Sequence, residues 1–388
     1  MRGYNFYRTF AMSSAPQIVA ASPSSVVETP LAAHLLPGVP ALSLTPYRGS
    51  LTPDSFSGAS FSDTNRELAA LTAAAGIYDL GYLAFLKITG GDRLRWLNGM
   101  VTNAVQSLEE DHWNYSFLLN AQGRILGDAT IYRFSDHILL QTDRAQIARL
   151  TAHLDHFIIM DDVELHELDA SMTSIGIAGP QSSSILTGLG LTPPGENTFI
   201  TAKFDGVEVT LVQAYSPVSP RLELWLPTAS LPELWAALLA ARATPCGLSA
   251  TEALRILSAT PLYSVDIQER HLAQETAQSR ALNFSKGCYL GQEIVERIRS
   301  RATIHRTLCQ FSLTGAPAAL APGQTLSLNA EQSQRNPVGE LTSLAHYQLP
   351  AFTGTLALGF VRTEILERKL PITYGEGAAT PLDAPPTT

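Results

Sequence analysis

Three apolar, β-rich runs follow one another at 113–119, 125–134 and 137–142 with no space for a helix between them. The first two flank a turn at Ala121-Gln122-Gly123, and Ser135-Asp136 turns the chain into the third. Strands joined this closely pair antiparallel, because a parallel neighbour needs a crossover of about a dozen residues or more. Helical patterns surround this meander. An alanine-rich stretch at 65–75 follows the capping residues Asp63 and Thr64 and stops at Gly76. The stretch 144–157 carries Ile147, Leu150, Leu154 and Phe157 at helical spacing. The alternation recurs loosely, with strands expected at 173–178, 207–213 and 222–226 and helices at 180–189 and 231–241. This order predicts antiparallel α+β layers and argues against a doubly wound sheet. Past His305, short strands at 307–313 and 325–328 are separated by Gly- and Pro-bearing turns, which predicts a small closing β-barrel.

At 388 residues the chain exceeds one ordinary core, so two or three domains are expected. Its 45% hydrophobic and 16% charged residues are those of a folded globular protein. A net charge of −9 argues against an extended nucleic-acid interface, which draws on clustered Lys and Arg. Uninterrupted apolar runs stay below the ~18 residues of a membrane-spanning helix. The first 62 residues contain only two acids, Glu28 and Asp54, and are rich in Ser, Pro and Ala. They read as a flexible leader, or as a weak organellar presequence given Arg2 and Arg8, with Met12 as an alternative start. The expected location is the cytoplasm, or the mitochondrial matrix if the leader is a presequence.

One segment concentrates the chemistry. Lys286-Gly287-Cys288-Tyr289-Leu290-Gly291-Gln292-Glu293 sets a cysteine at a glycine-flanked turn, directly ahead of an amphipathic run carrying Ile294, Val295 and Ile298 on one face. A thiol near a helix N-terminus and close to a lysine is disposed toward thiolate. Cys288 therefore reads either as a reactive or metal-ligating sulfur, or as a small buried side chain in a strand-to-helix corner. Cys246, Cys288 and Cys309 are too few and too scattered for a disulfide scaffold or a self-contained zinc site, and they fit a reducing compartment. Five basic residues (Lys286, Arg297, Arg299, Arg301 and Arg306) outnumber Glu293 and Glu296 here. That strip reads as an anion-receiving surface or as ordinary arginines on a solvent-facing helix.

The run Lys-Gly-Cys-Tyr-x-Gly-Gln-Glu-x-Val-x-Arg, from Lys286 to Arg297, resembles the signature of the YgfZ-type folate-binding proteins. These are relatives of the glycine-cleavage aminomethyltransferase (T-protein), and they include iron–sulfur assembly factors. Other stretches agree in the same order: Tyr78-Asp79-Leu80, then 85–90, 96–103, 119–125, 337–343 and 357–361. The resemblance covers about 65–369. It implies three α+β domains in a ring around a central channel holding tetrahydrofolate or a derivative, closed by the C-terminal β-barrel. The expected division is a leader at 1–62, a first domain at 63–170 completed by the return segment 246–305, a second domain at 171–245, the barrel at 306–374 and a mobile tail at 375–388.

A folate site needs a carboxylate for the pterin edge, apolar or aromatic walls, and cations for the glutamate tail. Within the resemblance, Glu223 in Arg221-Leu222-Glu223-Leu224 matches the T-protein's acid, while Ser216, Pro217, Ser219 and Pro220 replace its glycines. Its other reading is an outward-facing strand residue. Asp128 matches one of two adjacent acids in the T-protein hairpin, with Gly127 in place of the other. An acid in so apolar a strand is costly unless paired or functional, so Asp128 either faces the channel or sits at a bulge or edge position. Arg255, ahead of Pro261, either binds a ligand carboxylate or fixes a domain junction. Tyr289 and Arg297 complete the expected cofactor contacts; Cys288, Lys286 and Asp128 form the expected catalytic set, with no resident metal. Glu275 either orients Lys286 or packs at the junction. The resemblance implies a monomeric tetrahydrofolate-binding accessory protein that uses Cys288 on iron–sulfur client or assembly proteins, with a link to tRNA modification. The alternatives are folate-dependent one-carbon transfer of the aminomethyltransferase kind, which needs an acid–base group at the folate nitrogen, and an adaptor without folate.

Overall fold

The structure is a computed structural model and describes residues 26–39, 42–55, 61–168, 171–301, 304–315, 317, 325–330, 337–375 and 377–386. The meander forms as its turns require. Trp113–Leu119, Ile125–Arg133 and Ile138–Asp143 pair antiparallel and continue through Leu83–Thr89 to Glu164–Glu167, giving a five-stranded sheet. Helices Arg93–Asn98 and Ile147–Asp155 cover one face, where Trp96, Leu97, Leu150 and Leu154 bury against Leu86, Ile131 and Leu140. Side chains alternate along a strand, so Ile131 on the covered face leaves Asp128, Thr130 and Tyr132 on the other.

A second, six-stranded sheet runs in the order Phe199–Phe204, Val207–Gln213, Arg221–Pro227, Met172–Ala178, Gly76–Asp79 and Thr244–Pro245. Leu222, Leu224 and Leu226 pack toward helix Leu231–Ala240, against Leu234, Trp235 and Leu238. The same alternation sends Arg221, Glu223 and Trp225 the opposite way. The two sheets therefore meet through aromatic rings, with Trp225 lying 4.8 Å from Phe85 and 4.6 Å from Tyr132.

The C-terminal strands form the expected barrel-like sheet, Leu326–Leu328, Gly339–Gln348, Thr353–Arg362, Arg306–Leu313, Gly377–Leu382 and Thr373–Tyr374 in spatial order. Its two ends meet where Asn329 and Thr373 exchange backbone hydrogen bonds of 2.8 and 2.9 Å. It sits on helix Leu248–Leu257: the Tyr347 hydroxyl donates to the Ala253 carbonyl at 2.8 Å, and Gln310 Nε2 donates to the Ile256 carbonyl at 2.6 Å.

Two expectations about the chain ends need correction. The tail beyond 374 is not a loose end, since Gly377–Leu382 pairs with both Arg306–Leu313 and Thr373–Tyr374 and buries Ala379. Its Gly-, Ala- and Thr-rich composition concealed a strand whose stability comes from its neighbours on both sides. The leader is likewise structured over 26–39 and 42–55; the expected presequence lies, up to residue 25, outside the described residues. Val27–Glu28, Ser43–Tyr47 and Ser50–Ser55 make a small sheet, and helix Pro30–Leu35 starts with Thr29 as its cap and proline in its first turn. The Thr29 hydroxyl accepts from the Ala32 amide at 3.2 Å and donates to Asp79, while Leu31 is buried in the core of the second sheet.

Asp79 is buried at that joint, and burial lifts its carboxyl from an ordinary 3.8 to about 6, against the hydrogen bonds from Thr29 and Gly81 and the charge of Arg144. A raised folded-state pKa means that the folded chain holds a proton which the unfolded chain releases near pH 4. Stability contributed here therefore falls as pH rises between about 4 and 6, and the loss is complete above that window. Asp79→Asn is expected to flatten this dependence and to gain up to about 3 kcal/mol at pH 7. Urea unfolding of both proteins from pH 4 to pH 7 checks this, and parallel profiles would overturn it.

Candidate functional site

The faces of the two sheets that turn away from their helices bring polar residues to one cavity. Helix Leu248–Leu257 adds Glu252 and Arg255, the N-terminal hairpin adds Tyr47 and Arg48, and the segment ahead of the cysteine motif adds Arg280. Glu223 lies in its wall at 4% exposure, which removes the outward-facing reading. Arg221 Nη2 donates to its Oε1 at 2.7 Å; Gln141 Nε2 and Trp225 Nε1 donate to its Oε2 at 2.8 and 3.2 Å. A carboxylate has about four lone-pair positions, so one remains for a ligand N–H.

Asp128 also faces the cavity. Its Oδ2 accepts from the Tyr115 hydroxyl at 2.7 Å and its Oδ1 from Gln146 Nε2 at 2.9 Å. Gln146 in turn accepts the Asp128 amide on its Oε1 and donates to Asp143, which pairs with Arg48 Nε at 2.9 Å. Burial, and after it the charge of Asp128, holds the Tyr115 phenol well above its ordinary range, so it remains a donor. Gly127 is explained by the same arrangement. A Cβ there would stand 2.7 Å from Gln146 Oε1 and 2.8 Å from a Leu150 methyl, so a second acid would displace the glutamine that fixes Asp128.

Arg255 lines the cavity, yet its guanidinium is committed elsewhere. It donates to Glu252, to Asp266 at 2.7 Å, to the Thr260 carbonyl at 2.9 Å and to Ser343 Oγ in the barrel at 2.9 Å. This is a junction residue at the cavity wall.

The cysteine motif stands apart: Lys286, Cys288, Tyr289 and Arg297 are not in the cavity lining. Lys286 Nζ donates to the carbonyls of Asn98, Val101 and Asn103 at 2.6, 2.6 and 2.8 Å, tying off the end of helix Arg93–Asn98. Burial pushes its pKa down to about 7, while the three carbonyls and the helix C-terminus favour its charge. Tyr289 is buried in a core with Phe117, Ile125 and Val295, and Arg297 is exposed on helix Gln292–Arg301. Glu275 pairs with Arg306 at 3.0 Å rather than with Lys286. Gly291, at φ +81°, lets the motif turn against Asn120 and Gly123 at the hairpin tip. Cys288 is exposed, four residues before the first helical residue, in a shallow depression shared with Trp96, Met100 and Phe157.

Sequence reasoning overlooked Arg48, Tyr115, Gln146, Arg221 and Arg280. Arg221 was legible, because it stands two residues from Glu223 on the same strand face. Arg48 was hidden inside the supposed leader, and nothing local marked Gln146 or Arg280.

Two facing α+β sheets, a return helix and a closing barrel around a polar cavity define the class of fold that aminomethyltransferases share. Residues 44–286, more than half of the chain, match the family described as the GCVT N-terminal domain, and the chain belongs to that family. It is 28% identical over 262 residues to the aminomethyltransferase of Chlorobium chlorochromatii, covering 64% of this chain and 70% of that one. It is 24% identical over 323 residues to a chloroplastic protein of Arabidopsis thaliana carrying the provisional name transferase, covering 82% of this chain and 72% of that one. The crystal structure of the glycine cleavage system aminomethyltransferase T of Bartonella henselae superposes with a TM-score of 0.79 at 19% identity, over 92% of this chain and 97% of the other. Among the described residues no helix is long and apolar enough to cross a membrane.

Lys286→Met is expected to cost about 2–4 kcal/mol, because it strands three carbonyls that now share one ammonium. Urea unfolding measures this, and a loss below ~0.5 kcal/mol would show that water replaces the ammonium freely.

Proposed function

We propose that the cavity binds a tetrahydrofolate and that the protein acts on its one-carbon unit in the manner of an aminomethyltransferase. The observation that carries this reading is the Asp128 carboxylate. It is buried in an otherwise apolar strand, turned into the cavity, and held by Tyr115 and Gln146 with further lone pairs unspent. A buried charge is expensive unless something uses it.

The residues present fit a reduced folate. Tyr82, Trp113 and Tyr132 offer aromatic walls to a flat bicycle, and Glu223 keeps one acceptor position for its N–H edge. When bound, tetrahydrofolate supplies ring nitrogens that carry the one-carbon unit. The chain's own contribution is proton handling and orientation. Asp128 is the group that takes or returns a proton at a folate nitrogen, Tyr115 and Gln146 keep its carboxylate aimed, and the aromatic walls exclude water. The family and the aminomethyltransferases among its relatives support this reading.

One observation favours a second, compatible reading. Cys288 is the exposed one of the three cysteines and lies outside the cavity lining, so folate binding does not consume it. The YgfZ-like signature that carries it supports a thiol offered to an iron–sulfur client protein beside the folate chemistry.

Anaerobic calorimetry with tetrahydrofolate is the first test. Binding in the micromolar range, lost in Glu223→Ala, is expected; no heat at millimolar ligand overturns the proposal. Asp128→Asn is expected to retain binding while one-carbon exchange falls about 100-fold or more. Cys288→Ser is expected to leave both unchanged, and only a loss of complementation in cells lacking the protein would support the client-directed reading.

A further inference from the structure

Four arginines line the cavity, and three of them have carboxylate partners. Arg48 pairs with Asp143, Arg221 with Glu223, and Arg255 with Glu252 and Asp266. Arg280 has none among the described residues. Its guanidinium lies between two aromatic rings, 4.1 Å from the Tyr115 centroid and 4.0 Å from that of Tyr215. Its side chain makes one hydrogen bond, from Nε to Gln278 Oε1 at 3.2 Å, which leaves both Nη groups without a protein acceptor among the described residues. Neither Nη is among the sealed, unpartnered side-chain atoms, and Arg280 is part of the cavity lining.

The backbone around Arg280 is fixed. Asn103 Nδ2 donates to the Arg280 carbonyl at 2.8 Å, and the Thr102 hydroxyl donates to the Ala281 carbonyl at 2.6 Å. Burial pushes the guanidinium's pKa down, and the negative charge of Asp128 beyond Tyr115 offsets only part of that cost. A planar fork stacked between two rings and open at its Nη edge is preorganised for one kind of partner, a planar anion that accepts two parallel hydrogen bonds. Tyr215 comes from the loop between strands Val207–Gln213 and Arg221–Pro227, and Tyr115 from strand Trp113–Leu119, so the clamp joins the two sheets.

We propose that Arg280 is the carboxylate anchor of the cavity, making a free carboxylate a requirement of whatever ligand fills it. The inference rests on the folate reading for the identity of the larger ligand, and two sources share the chemistry: the glutamate tail of the folate, or the carboxylate of an amino-acid substrate seated beside it. Asp128 lines the same cavity and can meet the amine of such a substrate.

Calorimetry on wild type, Arg280→Met and Arg280→Lys, with thermal melts to confirm folding, separates these cases. The probes are tetrahydrofolate, tetrahydropteroate (which lacks the glutamate) and glycine. If the tail is held, Arg280→Met weakens tetrahydrofolate tenfold or more, Arg280→Lys restores part of the loss, and tetrahydropteroate binds both proteins equally. If a substrate is held, the two pterins are unaffected and glycine binding is lost in Arg280→Met. Equal binding of all three probes to wild type and Arg280→Met overturns the proposal. Should tetrahydrofolate fail to bind wild type at all, the folate reading falls and glycine alone decides: loss of its binding in Arg280→Met sustains the anchor, and no binding to wild type or no loss overturns it.

Discussion

Asp266 is fully buried, and its carboxylate is held by four donors from separate parts of the chain. Arg255 and the Leu262 amide donate to Oδ2, while Thr342 and Ser343 of the barrel donate to Oδ1. The charge is tolerable at that depth because every face of it is satisfied; removal of Arg255, the one cation among the donors, would leave an uncompensated ion. The joint locks helix Leu248–Leu257 to the barrel at the place where that helix becomes a cavity wall. It also spends Arg255, which explains why an arginine at the cavity edge is not available to a ligand.

The same accounting organises the cavity. Its acids and arginines are mostly set against one another, so the wall is polar yet nearly neutral. Departures from that balance are informative because each one costs folding energy. Asp128 has lone pairs to spare, and Arg280 has donors to spare. They lie on either side of Tyr115, which donates to one and stacks on the other. One tyrosine thereby sets the spacing between two opposite charges of the lining that have no direct ion-pair partner among the described residues.

Much of this architecture was readable from local patterns. Helix Gln292–Arg301 and strands Trp113–Leu119 and Val207–Gln213 fall where periodicity put them, since each is defined by its own amphipathic rhythm. Elements that depend on distant partners were not readable. The strand Gly377–Leu382 has little β propensity of its own, and the hairpin carrying Arg48 looks like linker until Thr29 meets Asp79. Asp128 was marked by the cost of an acid in an apolar strand, although its side of the sheet stayed open until the helices covering the other face were located. Arg280 was invisible, because what distinguishes it is a missing partner and two rings brought in from a distant strand and a distant loop.

The cysteine motif shows how a strong sequence signature and a site can part company. Most of its residues are explained by docking: Lys286 ties off a helix, Tyr289 fills a core, and Gly291 fits the hairpin tip. Those contacts hold the hairpin whose strand carries Asp128, so the signature supports the cavity without entering it. Cys288 is the exception. No packing demand accounts for a thiol at an exposed position beside Trp96 and Phe157, and the residues around it leave it facing outward. The motif thus braces the cavity through its buried residues while its cysteine stays at the surface.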